Sequence, residues 1–303
     1  MRRRVAVVIL SRNLPDSVDA LVHAIRRYDL DDTDIYVVEA GTDRDKLSQH
    51  HTTWANSPEV TQEGLRLARG FNLGIRELIR SGRLHEYDYL FLLRATVRLD
   101  GPVVSRLLDQ LEEHPRVGII SPCGDTWPER DLIGPDSLRY VWHINHHAWM
   151  LRRSFVDRII DHQTTGDDAD GPVFDGSNFR SYGTDTELIV KGYINDYATA
   201  LSTSCSLSED PELLKTRADL IRTDPYDVNA RKVFDEGFRW MRRKYGFTTR
   251  LQFQEYARLW YDRFFVLHPW LAPYRLLPED HVAGPRTAPP DAAQAARLMV
   301  PQP

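Results

Sequence analysis

Cysteine is scarce in this chain of 303 residues, which contains only Cys123 and Cys205. The two lie far apart and lack metal-ligand spacing, so the sequence predicts no disulfide framework and fits a reducing, cytoplasmic location best. Positive charge is not in excess either, because the formal net charge is -5. Proteins that bind nucleic acid need a basic face to displace counterions, so we expect no nucleic-acid partner and a small polar ligand instead.

Long hydrophobic runs are also missing. No stretch approaches the roughly 20 apolar residues that cross a bilayer. The basic start, residues 1–4, followed by apolar residues is similar to the start of a signal peptide, but polar Ser11, Arg12 and Asn13 interrupt the apolar run after six residues. The segment is therefore interpreted as a first strand rather than a leader.

What the sequence does contain is an alternation of strand and helix patterns. Continuous apolar runs predict strands at residues 5–10, 35–38, 89–93 and 117–120. Helical spacing with start and stop signals predicts a helix through Val18–Ile25 with Asp16 or Ser17 as its cap, one from about Asn72 to Gly82, and one through Val103–Leu111 that Pro115 ends. Unbroken apolar runs are typical of strands covered on both faces, so we predict an α/β fold with a mostly parallel central sheet flanked by helices.

Polar side chains follow the predicted strands directly. Asn13 follows the first strand, Glu39 the second and Arg94 the third. In open α/β sheets, ligands bind beyond the carboxyl ends of the strands. These three residues are therefore predicted to lie near one crevice.

Four segments occur in an order that resembles the catalytic domain of glycosyltransferase family 2, which has the GT-A fold. They are Val5–Asn13, Ile35–Asp43, Gly70–Ile75 and Gly183–Leu188. The resemblance covers about the first two thirds of the chain and rests on the series, since no single motif is specific. It implies a Rossmann-like GT-A domain at 1–208 that binds a nucleotide-diphosphate sugar. A helical extension at 209–280 and a flexible tail at 281–303 would follow.

The resemblance implies that residues at the ends of the first two strands bind the donor. Ser11 and Asn13, with Glu39, lie where family members surround the base and ribose, and Glu39 replaces a more usual aspartate while still accepting hydrogen bonds from ribose hydroxyls. Asn72 and Gly74 fit the Asn-x-Gly start of a family helix. The alternative is that these are ordinary turn and strand-end residues.

The acid motif is where the chain departs from the family. Typical members end the central strand with an Asp-x-Asp pair that holds a divalent cation against the diphosphate. Arg94 and Thr96 stand at those positions here. We hypothesise that Arg94, together with Arg98, pairs with the phosphates and makes the site independent of metal, so no cofactor is expected. The alternatives are Mg²⁺ or Mn²⁺ recruited by Asp100 or Asp43, and an Arg94 that forms only an internal ion pair.

The catalytic base is also assigned by resemblance. Family members place a Glu-Asp pair before a helix and use the aspartate as base for an inverting displacement; here Thr184 replaces the glutamate and Asp185 keeps the aspartate. Glu187 supplies a further acidic group on the acceptor side. The alternative is that Asp185 only caps the helix ending near Gly192.

The segment Trp142–Leu151 is predicted to be a strand beneath the acceptor, where His146, His147 and Trp149 could contact a sugar. His143 and His147 would share one face of such a strand, but no acidic or cysteine partner has suitable spacing for a metal. The histidine that many family members use for metal has no counterpart in Ser202–Ser206.

A wide aromatic stripe at helical spacing marks the C-terminal part of the chain: Phe253, Tyr256, Ala257, Trp260, Tyr261, Phe264 and Phe265. Packing onto the catalytic domain is the first expectation for its cover. A homodimer interface comes second, and peripheral membrane contact third. The basic residues that would favour an anionic membrane are Arg239, Arg242, Arg243 and Lys244.

Two classes of function follow. The first is an inverting, metal-independent, hexosyltransferase-type glycosyltransferase that moves a sugar from a nucleotide-diphosphate donor to a hydroxyl acceptor. The second is a catalytically silent GT-A protein with a binding or regulatory role. A nucleotidyltransferase is a weaker third, because the loop Ser11–Pro15 is not the glycine-rich phosphate loop of that chemistry.

Overall fold

The computed structural model of the chain describes residues 4–29, 33–161, 171–209 and 224–276. The predicted tail at 281–303 lies outside these residues. The strands are β1 Val5–Ser11, β2 Thr33–Ala40, β3 His51–Ala55, β4 Tyr89–Arg94, β5 Val97–Leu99, β6 Val117–Gly124, β7 Leu138–Tyr140, β8 Ala148–Arg152 and β9 Ala198–Glu209. The α-helices are α1 Pro15–Tyr28, α2 Pro58–Glu63, α3 Arg66–Arg80, α4 Val103–Glu113, α5 Glu129–Ile133, α6 Arg153–Ile159, α7 Thr184–Ile194, α8 Tyr226–Tyr245 and α9 Arg250–Leu267.

The strands form one sheet in the order β3-β2-β1-β4-β8-β6-β9-β5, and β7 also pairs with β9. Pairing is parallel from β3 through β2 and β1 to β4, and again between β6 and β9. β8 runs antiparallel between β4 and β6, and β5 and β7 run antiparallel to β9. The sheet is therefore mixed but mostly parallel, with helices flanking it, as predicted from the apolar runs.

Helix α1 illustrates how the pattern produces the packing. Its residues at helical spacing, Val18, Leu21, Val22 and Ile25, are all buried. The predicted cap is wrong, since Leu14 occupies the N-cap and Pro15 the first turn. Proline is favoured there because that turn has no use for its missing N–H.

Helix α3 begins at Arg66, six residues before the predicted start at Asn72. Asn72 therefore lies inside the helix, and the prediction that it opens the helix is wrong. The helix packs closely on β1, because a Cβ atom on Gly70 or Gly74 would lie only 2.4 Å from Leu10 or 2.6 Å from Val8. Glycine at these two positions thus serves close packing rather than a turn.

The strand predicted over Trp142–Leu151 is shorter, because β8 begins only at Ala148. A loop precedes it, held where the indole N–H of Trp149 donates to the carbonyl of Asn145 at 2.6 Å. His143 and His147 thus lie outside the strand and do not share one of its faces.

The C-terminal aromatic stripe packs onto the rest of the domain, which was the first of the three expected covers. Tyr261, Phe264 and Phe265 of α9 belong to the same buried cluster as the sheet. The Tyr261 hydroxyl lies 3.0 Å from the carbonyl of Tyr140 and 2.7 Å from that of Leu276. Among the described residues, no helix is both long and apolar enough to cross a membrane.

Candidate active site

The ends of four neighbouring strands bring the predicted donor residues into one row. Ser11 pairs with Glu39 at the ends of β1 and β2, and Leu10 of β1 pairs with Arg94 of β4. The backbone N–H of Arg94 then donates to the carbonyl of His147, just before β8, at 3.1 Å. The parallel strands β1, β2 and β4 present their carboxyl ends here, which is the edge where open α/β sheets bind ligands.

The loops after β1 and β2 are joined by side-chain hydrogen bonds. The N–H of Asp43 donates to Oδ1 of Asn13 at 2.8 Å, and the N–H of Asn13 lies 3.2 Å from Oγ1 of Thr42. Asn13 has a positive φ of 55°, a conformation that asparagine tolerates better than most residues. Asn13 thus fixes the relative position of the two loops, and its side chain is nearly buried in doing so.

The side chain of Glu39 forms hydrogen bonds within the loop that follows β2. Its carboxylate is fully buried and accepts hydrogen bonds from the Thr42 hydroxyl at 2.6 Å and the Ser48 N–H at 3.2 Å. Both oxygens are thereby engaged. A ribose hydroxyl would have to share an oxygen with one of these donors, so the geometry gives Glu39 a role in shaping the loop.

Ser11 differs from its neighbours. Its side chain is buried, and its hydroxyl has no hydrogen-bond partner within the described part of the chain. Buried hydroxyls are normally satisfied, so an unsatisfied one at a strand end suits a site that a ligand or water completes. Ser11 therefore stays a candidate donor contact.

Arg94 lies in a cluster of four polar side chains. Its Nη1 is 3.5 Å from Oε1 of Glu209 and 3.4 Å from Nδ1 of His147. The Thr96 hydroxyl donates to the same Glu209 oxygen at 2.5 Å, and His147 Nδ1 lies 3.2 Å from it. Because a carboxylate only accepts, the His147 contact requires the tautomer with hydrogen on Nδ1. The ion pair kept open as an alternative for Arg94 is thus present.

The members of this cluster determine one another's charge state. Burial disfavours ionised Glu209, but the Arg94 charge and the hydrogen bonds from His147 and Thr96 outweigh it and lower the pKa of Glu209 to about 2. Burial lowers the pKa of His147, and the Arg94 charge adds to that shift while Glu209 opposes it. At neutral pH the cluster therefore contains one cation, one anion and a neutral imidazole.

A divalent cation does not fit these residues. Across the described ranges, no group of three or more His, Cys, Asp or Glu side chains is arranged to hold a metal ion. Glu209 and His147 are the only candidate ligands in the Arg94 cluster, and the guanidinium lies against both at 3.5 and 3.4 Å. A hard cation would be repelled by that fixed charge, and Glu209 is the one carboxylate of this cluster that could supply oxygen ligands to it.

Arg98 and His146 border the same cluster. Arg98 is exposed on the short strand β5, which pairs with the end of β9 so that Val97 lies opposite Glu209. The His146 ring lies 5.1 Å from that of His147. Arg98, on β5, and His146, just before β8, therefore lie on opposite sides of β9 in the strand order.

Asp185 lies in the first turn of α7, whose N-cap is Gly183 in the left-handed conformation. Asp185 is not the N-cap residue, although its carboxylate accepts hydrogen bonds from backbone N–H groups of the first turn, at Asp185 and Thr186, which is the helix-start role given as the alternative. Burial raises the pKa of Asp185 above its usual range, and the charges of His143 and Arg250 oppose that rise. A carboxylate with a raised pKa is a stronger proton acceptor than a free aspartate.

Three other predicted site residues are engaged elsewhere. Asn72 accepts hydrogen bonds from the N–H groups of Val173 and Phe174 and donates to the Phe174 carbonyl at 2.7 Å. Trp149 is fully buried and packs against aromatic rings of the core, so it cannot line an acceptor site. Glu187 is also buried, and it packs against α8.

The contacts of Glu187 explain its position. Its Oε1 accepts from the Tyr245 hydroxyl at 2.8 Å and forms an ion pair with Lys244 at 2.6 Å. The prediction of an acceptor-side role is corrected accordingly, because these partners belong to the contact between α7 and α8. Lys244, in turn, is part of this ion pair rather than a free basic surface.

Glu209 is the functional candidate that sequence reasoning missed. The prediction ended the catalytic domain at residue 208 and took the following residues as helical, whereas β9 runs to Glu209. The alternation of Ser206, Leu207 and Ser208 before Glu209 is a strand signal that would have placed a carboxylate at a strand end. His143 and Arg250, which act on Asp185, carry no such signal.

Comparison with known proteins supports the fold alone. No family model and no curated protein matches the chain. Among solved structures, a mannosyltransferase, PcManGT from Pyrobaculum calidifontis in complex with GDP-Man and Mn²⁺, is similar with a TM-score of 0.52 and 12% identity, over 98% of this chain and 80% of that chain.

Two further structures are similar at lower scores. GalNAc-T7 with UDP, GalNAc and Mn²⁺ has a TM-score of 0.49 and 9% identity, over 80% of this chain and 56% of that chain. TarS from S. aureus has a TM-score of 0.48 and 9% identity, over 82% and 44%. The mixed sheet, its flanking helices and the match over nearly the whole chain show that this protein has the fold of GT-A glycosyltransferases.

Proposed function

We propose that this protein is an inverting glycosyltransferase of the hexosyltransferase type. It transfers a sugar from a nucleotide-diphosphate donor to a hydroxyl acceptor and needs no divalent metal. The observation that carries the proposal is Arg94 at the end of β4, where its guanidinium lies beside the strand edge that binds ligands in such sheets. Guanidinium groups bind phosphate through paired hydrogen bonds.

In this mechanism the donor lies across the row of strand ends, with its diphosphate toward Arg94 and Arg98. Ser11 offers an unsatisfied hydroxyl nearby. Arg94 uses Nη1 toward Glu209, so its other N–H groups are directed elsewhere and suit phosphate oxygens. The fixed charge stabilises the negative charge that develops on the leaving diphosphate.

Asp185 acts as general base in the proposal. It takes the proton of the acceptor hydroxyl while the acceptor oxygen forms its bond to the anomeric carbon. The bond between that carbon and the diphosphate breaks, its electron pair leaves with the phosphate, and the configuration inverts. Desolvation of Asp185, which raises its pKa, strengthens it as a base.

A donor panel tests the proposal. UDP-, GDP- and dTDP-linked sugars are incubated with the protein, with and without EDTA, and release of nucleoside diphosphate is measured. We expect release from one donor that EDTA leaves unchanged and that Asp185→Asn abolishes. Asp131→Asn, at an exposed position on α5, is the matched control. Release that requires added Mn²⁺ would contradict the metal-independent mechanism.

A catalytically silent binding protein is the second candidate. The observation that favours it is the ion pair of Arg94 with Glu209, which already neutralises the cation proposed for the diphosphate. Nucleotide binding in calorimetry without turnover over the whole panel would support this alternative. Turnover that depends on Asp185 would exclude it.

A further inference from the structure

Glu209 places a fixed negative charge beside the cation that the proposed function assigns to the diphosphate. Its Oε1 is held by the Thr96 hydroxyl at 2.5 Å and by His147 at 3.2 Å, and it lies 3.5 Å from Arg94. The strand pairing of Val97 with Glu209 fixes the backbone as well. The carboxylate is therefore held in place through its Oε1 atom and through the backbone of Glu209.

An anion in this place does not act equally on donor and product. In a nucleotide sugar the terminal phosphate is an ester, so the diphosphate carries two negative charges. After transfer the same phosphate is free and gains a further charge above a pKa of about 6. The added charge develops on the terminal phosphate, which the proposed mechanism directs toward Arg94.

We propose that Glu209 is a specificity-determining residue that favours the sugar-bearing donor over the nucleoside diphosphate product. This inference rests on the proposed function. Arg94 attracts the more highly charged product more strongly than the donor, and Glu209, which repels the product more strongly than the donor, offsets that preference. A site without a departing metal ion thereby avoids retaining its own product.

The negative charge of Glu209 is not needed for its hydrogen bonds to Thr96 and His147. A neutral acceptor at residue 209 would satisfy the Thr96 hydroxyl and the His147 N–H equally well. The two ligands share the nucleoside and both phosphates and differ in the sugar and in the charge of the terminal phosphate, and the charge of Glu209 acts on the second difference. Glu209→Gln therefore separates the two roles, because the amide keeps the shape and an acceptor oxygen.

The test is calorimetry at pH 8 with three matched ligand pairs, UDP with UDP-glucose, GDP with GDP-mannose and dTDP with dTDP-glucose. For the pair that binds, we expect Glu209→Gln to tighten the diphosphate about tenfold relative to its sugar ester, since a unit charge a few ångströms away has an effect of this order. Glu113→Gln removes the same charge from the exposed end of α4, next to the start of β6, and should leave the ratio unchanged.

The outcomes are separable. If both ligands of a pair bind but Glu209→Gln shifts them equally or not at all, the role of Glu209 is overturned while the proposed function stands. If the wild-type protein binds none of the three pairs, both proposals are overturned. Thermal unfolding of Glu209→Gln checks its fold, and Glu209→Asp, which keeps the charge, should retain the wild-type preference; a Glu209→Asp protein that behaves like Glu209→Gln would contradict the inference.

Discussion

Arg94 and Glu209 meet across the end of the sheet, with Nη1 of the arginine 3.5 Å from Oε1 of the glutamate. Arg94 ends β4 and Glu209 ends β9, and β8 and β6 lie between those strands in the sheet. The contact therefore joins residues that are distant both in sequence and in strand order. It also leaves the site with a fixed cation whose counter-charge belongs to the protein.

Arg94→Ala should weaken nucleoside diphosphates by about 10- to 100-fold, because charge-assisted hydrogen bonds to phosphate contribute about 1.5–3 kcal/mol. Binding of the bare nucleoside should change little. Isothermal titration calorimetry with UDP, GDP and their nucleosides measures both. Arg106→Ala, an exposed arginine on α4, is the control. An equal loss for nucleoside and diphosphate would remove Arg94 from the phosphate role.

Stability in acid should report on Glu209. Its pKa is lowered from 4.5 to about 2 in the folded protein, so its contribution is present above pH 4.5 and is lost as pH falls toward 2. The lowering corresponds to about 3 kcal/mol at neutral pH. Urea unfolding from pH 7 to pH 2 should show a shallower acid loss in Glu209→Gln than in the wild type. Parallel curves for the two proteins would show that Glu209 is not ionised in this way.

The pH dependence of turnover should report on Asp185. Since the base must be deprotonated and burial raises its pKa above 3.8, turnover should fall as pH drops through that raised value. The nearby positive charge of Arg250 lowers the pKa of Asp185. Arg250→Ala removes that charge, so the pKa should rise further and the acid limb of the rate profile should move to higher pH. Rates over pH 4–9 measure this shift. An acid limb that stays at the same pH would show that the charge of Arg250 does not affect the pKa of Asp185.

Asn72→Asp should destabilise the fold by about 2–4 kcal/mol, although the side chain keeps its size. The amide of Asn72 donates to the Phe174 carbonyl at 2.7 Å, and a carboxylate would face that carbonyl without a hydrogen to share. Chemical denaturation measures the loss, and Asn195→Asp, at the end of α7, serves as the comparison. If Asn72→Asp instead retains full stability, the bonds to residues 173–174 do not hold this region.

The sequence predicted the strands of the sheet centre and the helices that cover them, because their apolar periodicity is local. β1, β4 and β6 were placed within a few residues of their observed bounds. The start of α3 was predicted too late, since Asn72 and Gly74 were interpreted as the beginning of the helix. In the structure both lie inside it, and Gly70 and Gly74 allow it to pack closely on β1. A helix boundary set by close tertiary packing has no local signal.

The candidate site was predicted only in part, for the same reason. Arg94, Thr96 and His147 were singled out from their places along the chain, but their shared partner Glu209 comes more than 50 residues later and beyond the expected domain boundary. Pairing between charges on distant strands depends on strand order. The burial of Trp149 likewise depends on the aromatic rings of α3 and the 174 region that cover it.

The hydroxyl of Tyr261 lies between the carbonyls of Tyr140 and Leu276. One side chain of α9 thus joins β7 to the segment that follows α9. During synthesis, β7 cannot acquire this partner until α9 has left the ribosome exit tunnel. A nascent chain stalled before α9 would therefore expose the aromatic surface that this helix covers.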